Sequence, residues 1–168
     1  MAVDLFLKLD GIPGESVDRE HKGEIVLESF SWGETNASSH VAAGSGAGAG
    51  KVSMQDFHFT ARVSVATPKL MLFCANGQHI KTGVMTVRKA GEQSPGAETG
   101  GQFEFLFYKF QNVIITSVQE AGDTSDRPLD AVSFAFQKIN VEYKEQTAAG
   151  GIGTTVDFAW DLTANKKI

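Results

Sequence analysis

Leu5-Phe6-Leu7-Lys8-Leu9-Asp10-Gly11-Ile12-Pro13-Gly14-Glu15-Ser16-Val17-Asp18-Arg19-Glu20-His21, then Glu24-Ile25 and Ser29-Phe30-Ser31-Trp32-Gly33, is the stretch that decides how this chain is read. Val3, Leu5, Leu7 and Leu9 recur at period two, the spacing of one face of a β-strand. Asp10 to Gly14 carries turn formers, and a second alternating segment begins at Ile25. In that segment Val26, Phe30 and Trp32 share one face, opposite Ile25, Leu27, Ser29 and Ser31. Two strands joined by a fixed polar loop, with no catalytic spacing between them, suit a building block better than an enzyme.

The same period runs through most of the 168 residues. Phe57, Phe59, Ala61 and Val63 alternate, as do Val84 to Lys89, Phe103 to Phe110, Val113 to Val118 and Val132 to Tyr143. Aromatic and β-branched residues are enriched, and they pack well on a half-buried pleated surface. Several such segments separated by turn signals predict an antiparallel two-sheet sandwich or barrel in a single domain spanning 1–168. One helix interrupts them over about residues 67–76. Thr67 is placed to cap it, Pro68 to open it and Gly77 to stop it, while Leu70, Phe73 and Cys74 form its apolar stripe.

Two segments are apolar on both faces. Phe103, Phe105 and Phe107 oppose Leu106, Tyr108 and Phe110, and Val113 and Ile115 oppose Ile114 and Val118. A strand apolar on both sides is covered on both sides, and a neighbouring copy of the chain is one candidate for the second cover. Ala42 to Gly50 consists of Gly, Ala and Ser, so it buries little apolar surface and is expected to be adaptable.

Composition excludes several classes. Hydrophobic residues make up 42 % of the chain, so it is globular rather than disordered. The formal charge is −5, with Lys and Arg scattered singly, which argues against a nucleic-acid partner. No apolar run of roughly 18 residues predicts a membrane span, and Met1-Ala2-Val3-Asp4 does not open a signal peptide. The single cysteine, Cys74, is expected to be a buried inert thiol.

No cofactor, metal or catalytic site emerges. Gly50-Lys51 is followed by Val52 and preceded by Ser45 where a phosphate-binding loop needs a hydroxyl and a glycine. His21, His40, His58 and His79 lack metal-ligand spacing and are expected to act singly as hydrogen-bonding residues. Asp123, Asp126 and Asp130 lack the glycine and closing glutamate of a calcium loop and are expected to be solvated. No nucleophile elbow or local Cys–His signature is present.

The opening string L-x-L-x-G-I-x-G-E-S-x-D-x-x-H, with E-I and S-x-S-W-G after it, closely resembles the Hcp family, the haemolysin-coregulated proteins of bacterial type VI secretion. Further likenesses follow in family order at Gly50-Lys51-Val52, Gln55-Asp56, Thr67-Pro68, Leu70-Met71, Gly77 and His79, and Val87 to Gly91. Val132-Ser133-Phe134, Gln137-Lys138-Ile139, Tyr143, Trp160-Asp161-Leu162 and Asn165-Lys166 complete them, so the resemblance covers essentially the whole chain. It implies a compact β-barrel with one helix at its side, six copies of which close into a ring. The rings stack into an inner tube that sheath contraction expels, and the lumen carries and stabilises small effector proteins.

The resemblance further implies a homo-hexamer whose other partners are stacked rings, sheath, spike and baseplate proteins. Assembly takes place in the bacterial cytoplasm, with export to the extracellular space or a target cell without a signal peptide. Ser29 and Ser31 are the expected lumen and cargo contacts. Gly44, Ser45, Gly46, Ala47, Gly48, Ala49 and Gly50 form the expected ring-stacking loop, and the chain leaves no room for a fused toxin domain. A phage-like tail tube subunit and a monomeric β-barrel that binds a ligand in its interior are the competing readings.

Overall fold

The computed structural model describes residues 3–37, 51–90 and 102–168. In chain order the elements are β1 (Val3–Leu9), β2 (Ile25–Ser31), β3 (Glu34–Asn36), β4 (Val52–Met54), β5 (Phe57–Arg62), α1 (Ala66–Asn76), β6 (His79–Ala90), β7 (Gln102–Ala121), β8 (Leu129–Gln146), β9 (Ile152–Asp161) and β10 (Lys166–Lys167). The main sheet runs β10-β9-β8-β5-β2-β1-β6-β7, and β7 returns to pair with β8. Six antiparallel strands therefore close a barrel, while β9 and β10 branch off β8 outside the closure. The short β3–β4 pair forms the second sheet, and α1 is the one helix among the described residues.

Alternation at β5 builds the centre. Phe57, Phe59 and Ala61 point inward and are at most 2 % exposed. Phe57, Phe110 and Phe134 meet at centroid distances of 4.9 to 5.1 Å, with Phe30 and Tyr108 around them. Leu7, Leu9, Ile25, Leu27, Met85, Val113, Ile115 and Val132 complete the interior. A ligand-binding cavity was one competing expectation for this space; instead the phenyl rings occupy it.

The faces of β2 differ from the simple alternation. Leu27 pairs with Ala61 but Ser29 pairs with Thr60, so a β-bulge falls at Glu28. One extra residue flips the side-chain order. Ile25 and Leu27 point inward before the bulge and Phe30 packs on the core after it, while Val26, Ser29 and Ser31 are exposed. Ser29 and Ser31 thus lie on the opposite face from Ile25 and Leu27, contrary to the uninterrupted period.

The helix begins at Ala66, one residue before the predicted start, and Thr67 is not its cap. The Ser64 hydroxyl accepts from the Ala66 amide at 3.2 Å. Thr67 is buried and donates its hydroxyl proton to Asp130 at 2.5 Å, tying α1 to β8. Leu70 and Phe73 face the core as expected, but Cys74 is only half-buried at its edge. Gly77, at φ 66°, closes the helix in the left-handed conformation.

The loop between β1 and β2 is fixed by backbone pairing and buried charge. Gly14 donates to the Gly23 carbonyl at 2.8 Å and Ser16 to that of Glu24 at 3.0 Å. A Cβ on Gly14 would sit 2.4 Å from the Glu24 carbonyl oxygen, so only glycine fits there. Asp18 accepts from the amides of Glu20 and His21 and pairs with Arg88 at 2.6 Å. Arg88, 2 % exposed, also holds Asp4.

Phe6 lies between the Arg88 guanidinium, 4.9 Å from its centroid, and the His21 ring stacked at 4.2 Å. His21 in turn meets Glu24 at 3.0 Å and Glu104 at 2.8 Å. Glu20, His21 and Glu104 each bring a ligand-capable atom within 4.8 Å of the others, and both His21 nitrogens are taken by carboxylates. The loop thereby covers the outer face of β1, β6 and the start of β7.

The hydrogen bond from Arg88 holds the Asp18 carboxyl far below the usual carboxylate range, against the opposing effect of burial. A depressed folded-state value stabilises the fold above the unfolded value of about 3.9 and is lost as pH falls through the folded one. Urea midpoints recorded down the pH scale should fall steadily below about pH 4, and Asp18→Asn should flatten that acid limb. At neutral pH Arg88→Met should cost about 3 kcal/mol, because it leaves the largely buried Asp18 carboxylate without its guanidinium partner.

Candidate functional site

The outward turn of Ser29 and Ser31 places them in a polar wall. Strand register aligns Ser31, His58, Ser133 and Ser117 in one row across β2, β5, β8 and β7. Ser29, Thr60, Ala131 and Gln119 form the next row. Between them lies an open groove of about 300 Å³ with Phe30, Phe59 and Val132 behind it. The Ser29 and Thr60 hydroxyls are 2.6 Å apart, and His58 Nδ1 is 2.5 Å from Ser133 Oγ. Hydroxyls dominate this wall, and they both donate and accept. The groove can therefore hydrogen-bond varied polypeptide without demanding one sequence.

One end of the wall is closed by charge. Arg62 is bound by Glu28 at 2.9 Å and by Asp126, and Arg127 donates to the Val63 carbonyl. The hydrogen bond to Asp126 raises the Arg62 value further, and the same contact lowers that of Asp126. Asp123 accepts from Ser125, while Asp130 is buried against Thr67. The three aspartates that might have made a cation loop are therefore spent on separate local contacts.

A second surface arises where β7, β8 and β9 run past the barrel. The row Gly83, Phe110, Ile139, Trp160 and the row Met85, Tyr108, Val141, Phe158 continue the interior face outward. The next row is Val87, Leu106, Tyr143, Val156. Exposure climbs along it from 4 % at Val87 to 48 % at Tyr143 and 60 % at Val156, and Ile152 beyond is also exposed. Partial desolvation pushes the Tyr108 phenol above its ordinary value. The interior face of the sheet thus emerges into solvent as an apolar wing.

On the other face of the same strands, lysines supply cover. Lys144 sits 4.8 Å from the Phe107 centroid, and Lys89 lies 5.3 Å from that of Phe105. In each case the ammonium lies over the ring face. The two-sided apolar pattern therefore has two explanations, the barrel core on one face and lysines with the β1–β2 loop on the other. Among the described residues, what remains without cover is the wing.

The expected stacking residues Gly44, Ser45, Gly46, Ala47, Gly48, Ala49 and Gly50 lie outside the described residues, as does His40. His79 is engaged by Asn112 at 2.6 Å. No described helix is long and apolar enough to cross a membrane. Sequence reading missed His58 as part of the wall and Arg88 as the anchor of the loop. The available signal for Arg88 was a charged residue directly after the apolar pair Met85 and Val87 in a strand segment that is buried from Met85 to Arg88.

The described residues thus form a filled antiparallel barrel with a hydroxyl-rich wall and an apolar wing. The chain belongs to the Hcp family: residues 6–143 match the family described as "Type VI secretion system effector, Hcp". It is 36 % identical over 167 residues to Protein hcp1 of Pseudomonas aeruginosa PAO1, with 98 % of each chain covered. The fold is similar to Hcp1 from Salmonella typhimurium, at 34 % identity, full coverage of both chains and a TM-score of 0.81. A second solved structure, titled as a type six secretion system protein, is 32 % identical with a TM-score of 0.88, covering 99 % of this chain and 100 % of its own.

Packing along the wing sets an energetic gradient that mutation can read. Phe110→Ala should lower unfolding free energy by about 3–5 kcal/mol. Val156→Glu, on the same sheet face but outside the barrel, should change that of the isolated subunit by less than about 0.5 kcal/mol. Chemical denaturation at concentrations where the subunit is monomeric checks both.

Proposed function

We propose that this type VI secretion tube protein works by closing six copies into a ring, the wing of each subunit covering the flank of the next. The observation that carries the reading is the apolar row from Val87 to Val156, which leaves the barrel with no cover among the described residues. Such a head-to-tail contact is heterologous and yields a ring when its rotation closes. The polar wall bearing Ser29 and Ser31 faces the lumen, where it holds small effector proteins. Gly44 to Gly50 lie across the face of the next ring, and ordering them costs about 1–2 kcal/mol per residue. Stacking is therefore weak until sheath, spike and baseplate proteins enclose the tube, which is assembled in the bacterial cytoplasm and then expelled.

Two substitutions separate assembly from carriage. Val156→Glu places a carboxylate in the subunit contact and should release monomers, as read by light scattering, without unfolding the chain. Ser31→Gln fills the groove and should lower co-purified effector about tenfold, the factor for ~1.4 kcal/mol of lost contact, while ring mass stays unchanged. Rings that survive Val156→Glu would contradict the wing as the contact, and full retention of effector by Ser31→Gln would remove the wall from the carrier site.

A further inference from the structure

We infer that His58 makes the polar wall selective for acidic polypeptide segments, with the selection strengthening as the surroundings become mildly acidic. The inference rests on the wall being the cargo surface. Every other side chain lining the groove is a hydroxyl, an amide or apolar: Ser29, Ser31, Thr60, Ser117, Gln119 and Ser133, with Phe30, Phe59, Ala131 and Val132. Among the described lining residues, His58 is the one ionisable side chain. It is exposed, and register puts it at the centre of its row, between Ser31 and Ser133.

The contact with Ser133 orients the ring. Nδ1 meets Ser133 Oγ at 2.5 Å, while Nε2 has no protein partner among the described residues. When the imidazole is neutral and Nδ1 accepts the serine proton, Nε2–H is a neutral donor toward the groove. Protonation makes Nδ1–H the donor to Ser133, and Nε2–H then carries part of a full positive charge. Histidine is the side chain whose charge ordinarily changes between about pH 5 and pH 8. A carboxylate opposite Nε2 therefore gains a charge-assisted hydrogen bond at the acid end of that range.

The charged groups around His58 are for the most part held in local contacts. On β5 itself Arg62 is neutralised by Glu28 from β2 and by Asp126. Asp56, just before β5, accepts from Thr116 of β7 at 2.7 Å. From β8, Asp130 is turned inward to Thr67, and Glu120 lies exposed near the end of β7. Protonation of His58 thus adds one positive charge to the hydroxyl wall, beside the Asp56 carboxylate, and in a six-membered ring each subunit contributes that charge to one lumen.

Two fluorescein-labelled peptides of equal length, Gly-Ser-Asp and Gly-Ser-Asn repeats, test the inference by anisotropy on the purified full chain at fixed salt. The Asp peptide should bind about three- to tenfold tighter at about pH 6 than at about pH 8, whereas the Asn peptide should change by less than about twofold. His58→Gln should bring the Asp-peptide ratio close to one, and His58→Lys, permanently charged, should bind it tightly at both pH values. A pH ratio that persists in His58→Gln overturns the inference. Equal binding of both peptides by the parent at both pH values also overturns it, while leaving the wall as a binding surface. If neither peptide binds the parent at any pH, the wall reading itself is overturned.

Discussion

β7 and β8 are longer than the barrel they close, and the rest of the molecule follows from that mismatch. The first half of β8 pairs with β5 and completes the ring of strands. Its second half pairs with β9 instead, so the sheet leaves the barrel without changing face. Apolar alternation continues across this junction because the same strands serve both parts. A single subunit can bury the rows at Phe110 and Met85, but the row ending at Tyr143 and Val156 has nothing within the described chain to cover it. Apolar area of this kind is the ordinary driving force for association.

The barrel can support such a wing because its other contacts are rigid. Phe57, Phe110 and Phe134 fill the centre with edge-on and stacked rings. Arg88 clamps the β1–β2 loop through Asp18, and His21 ties it to β7 through Glu104. A buried guanidinium with one partner removed would be a liability, yet here it joins β6 to the loop and to Asp4 on β1. The result is a well-packed body with one polar wall and one face left uncovered among the described residues.

Much of this was legible in the residues. Period-two patterning located the strands, and the Pro68-to-Gly77 interval located the helix to within a residue. The string from Leu5 to Gly33 indicated the family on its own. What patterning could not supply was anything that depends on register. The bulge at Glu28 shifts Ser29 and Ser31 to the other face, and no local signal marks it because Glu is an ordinary exposed strand residue. The Ser31–His58–Ser133–Ser117 row joins positions scattered over more than a hundred residues. Arg88 and Asp18 are likewise remote in sequence, so the pattern marked a fixed polar loop without showing the ion pair that anchors it. The two-sided strands suggested a second cover, but only the pairing of β8 with both β5 and β9 separates the face covered internally from the face left open.

The central claim is that the wing is an unfinished contact completed by another copy of the chain. The mass of the purified protein in solution, by light scattering with negative-stain images of the same fraction, tests it most directly. The account predicts six-fold rings, without long tubes, at micromolar concentration. A monomer that persists across low and high salt would contradict it.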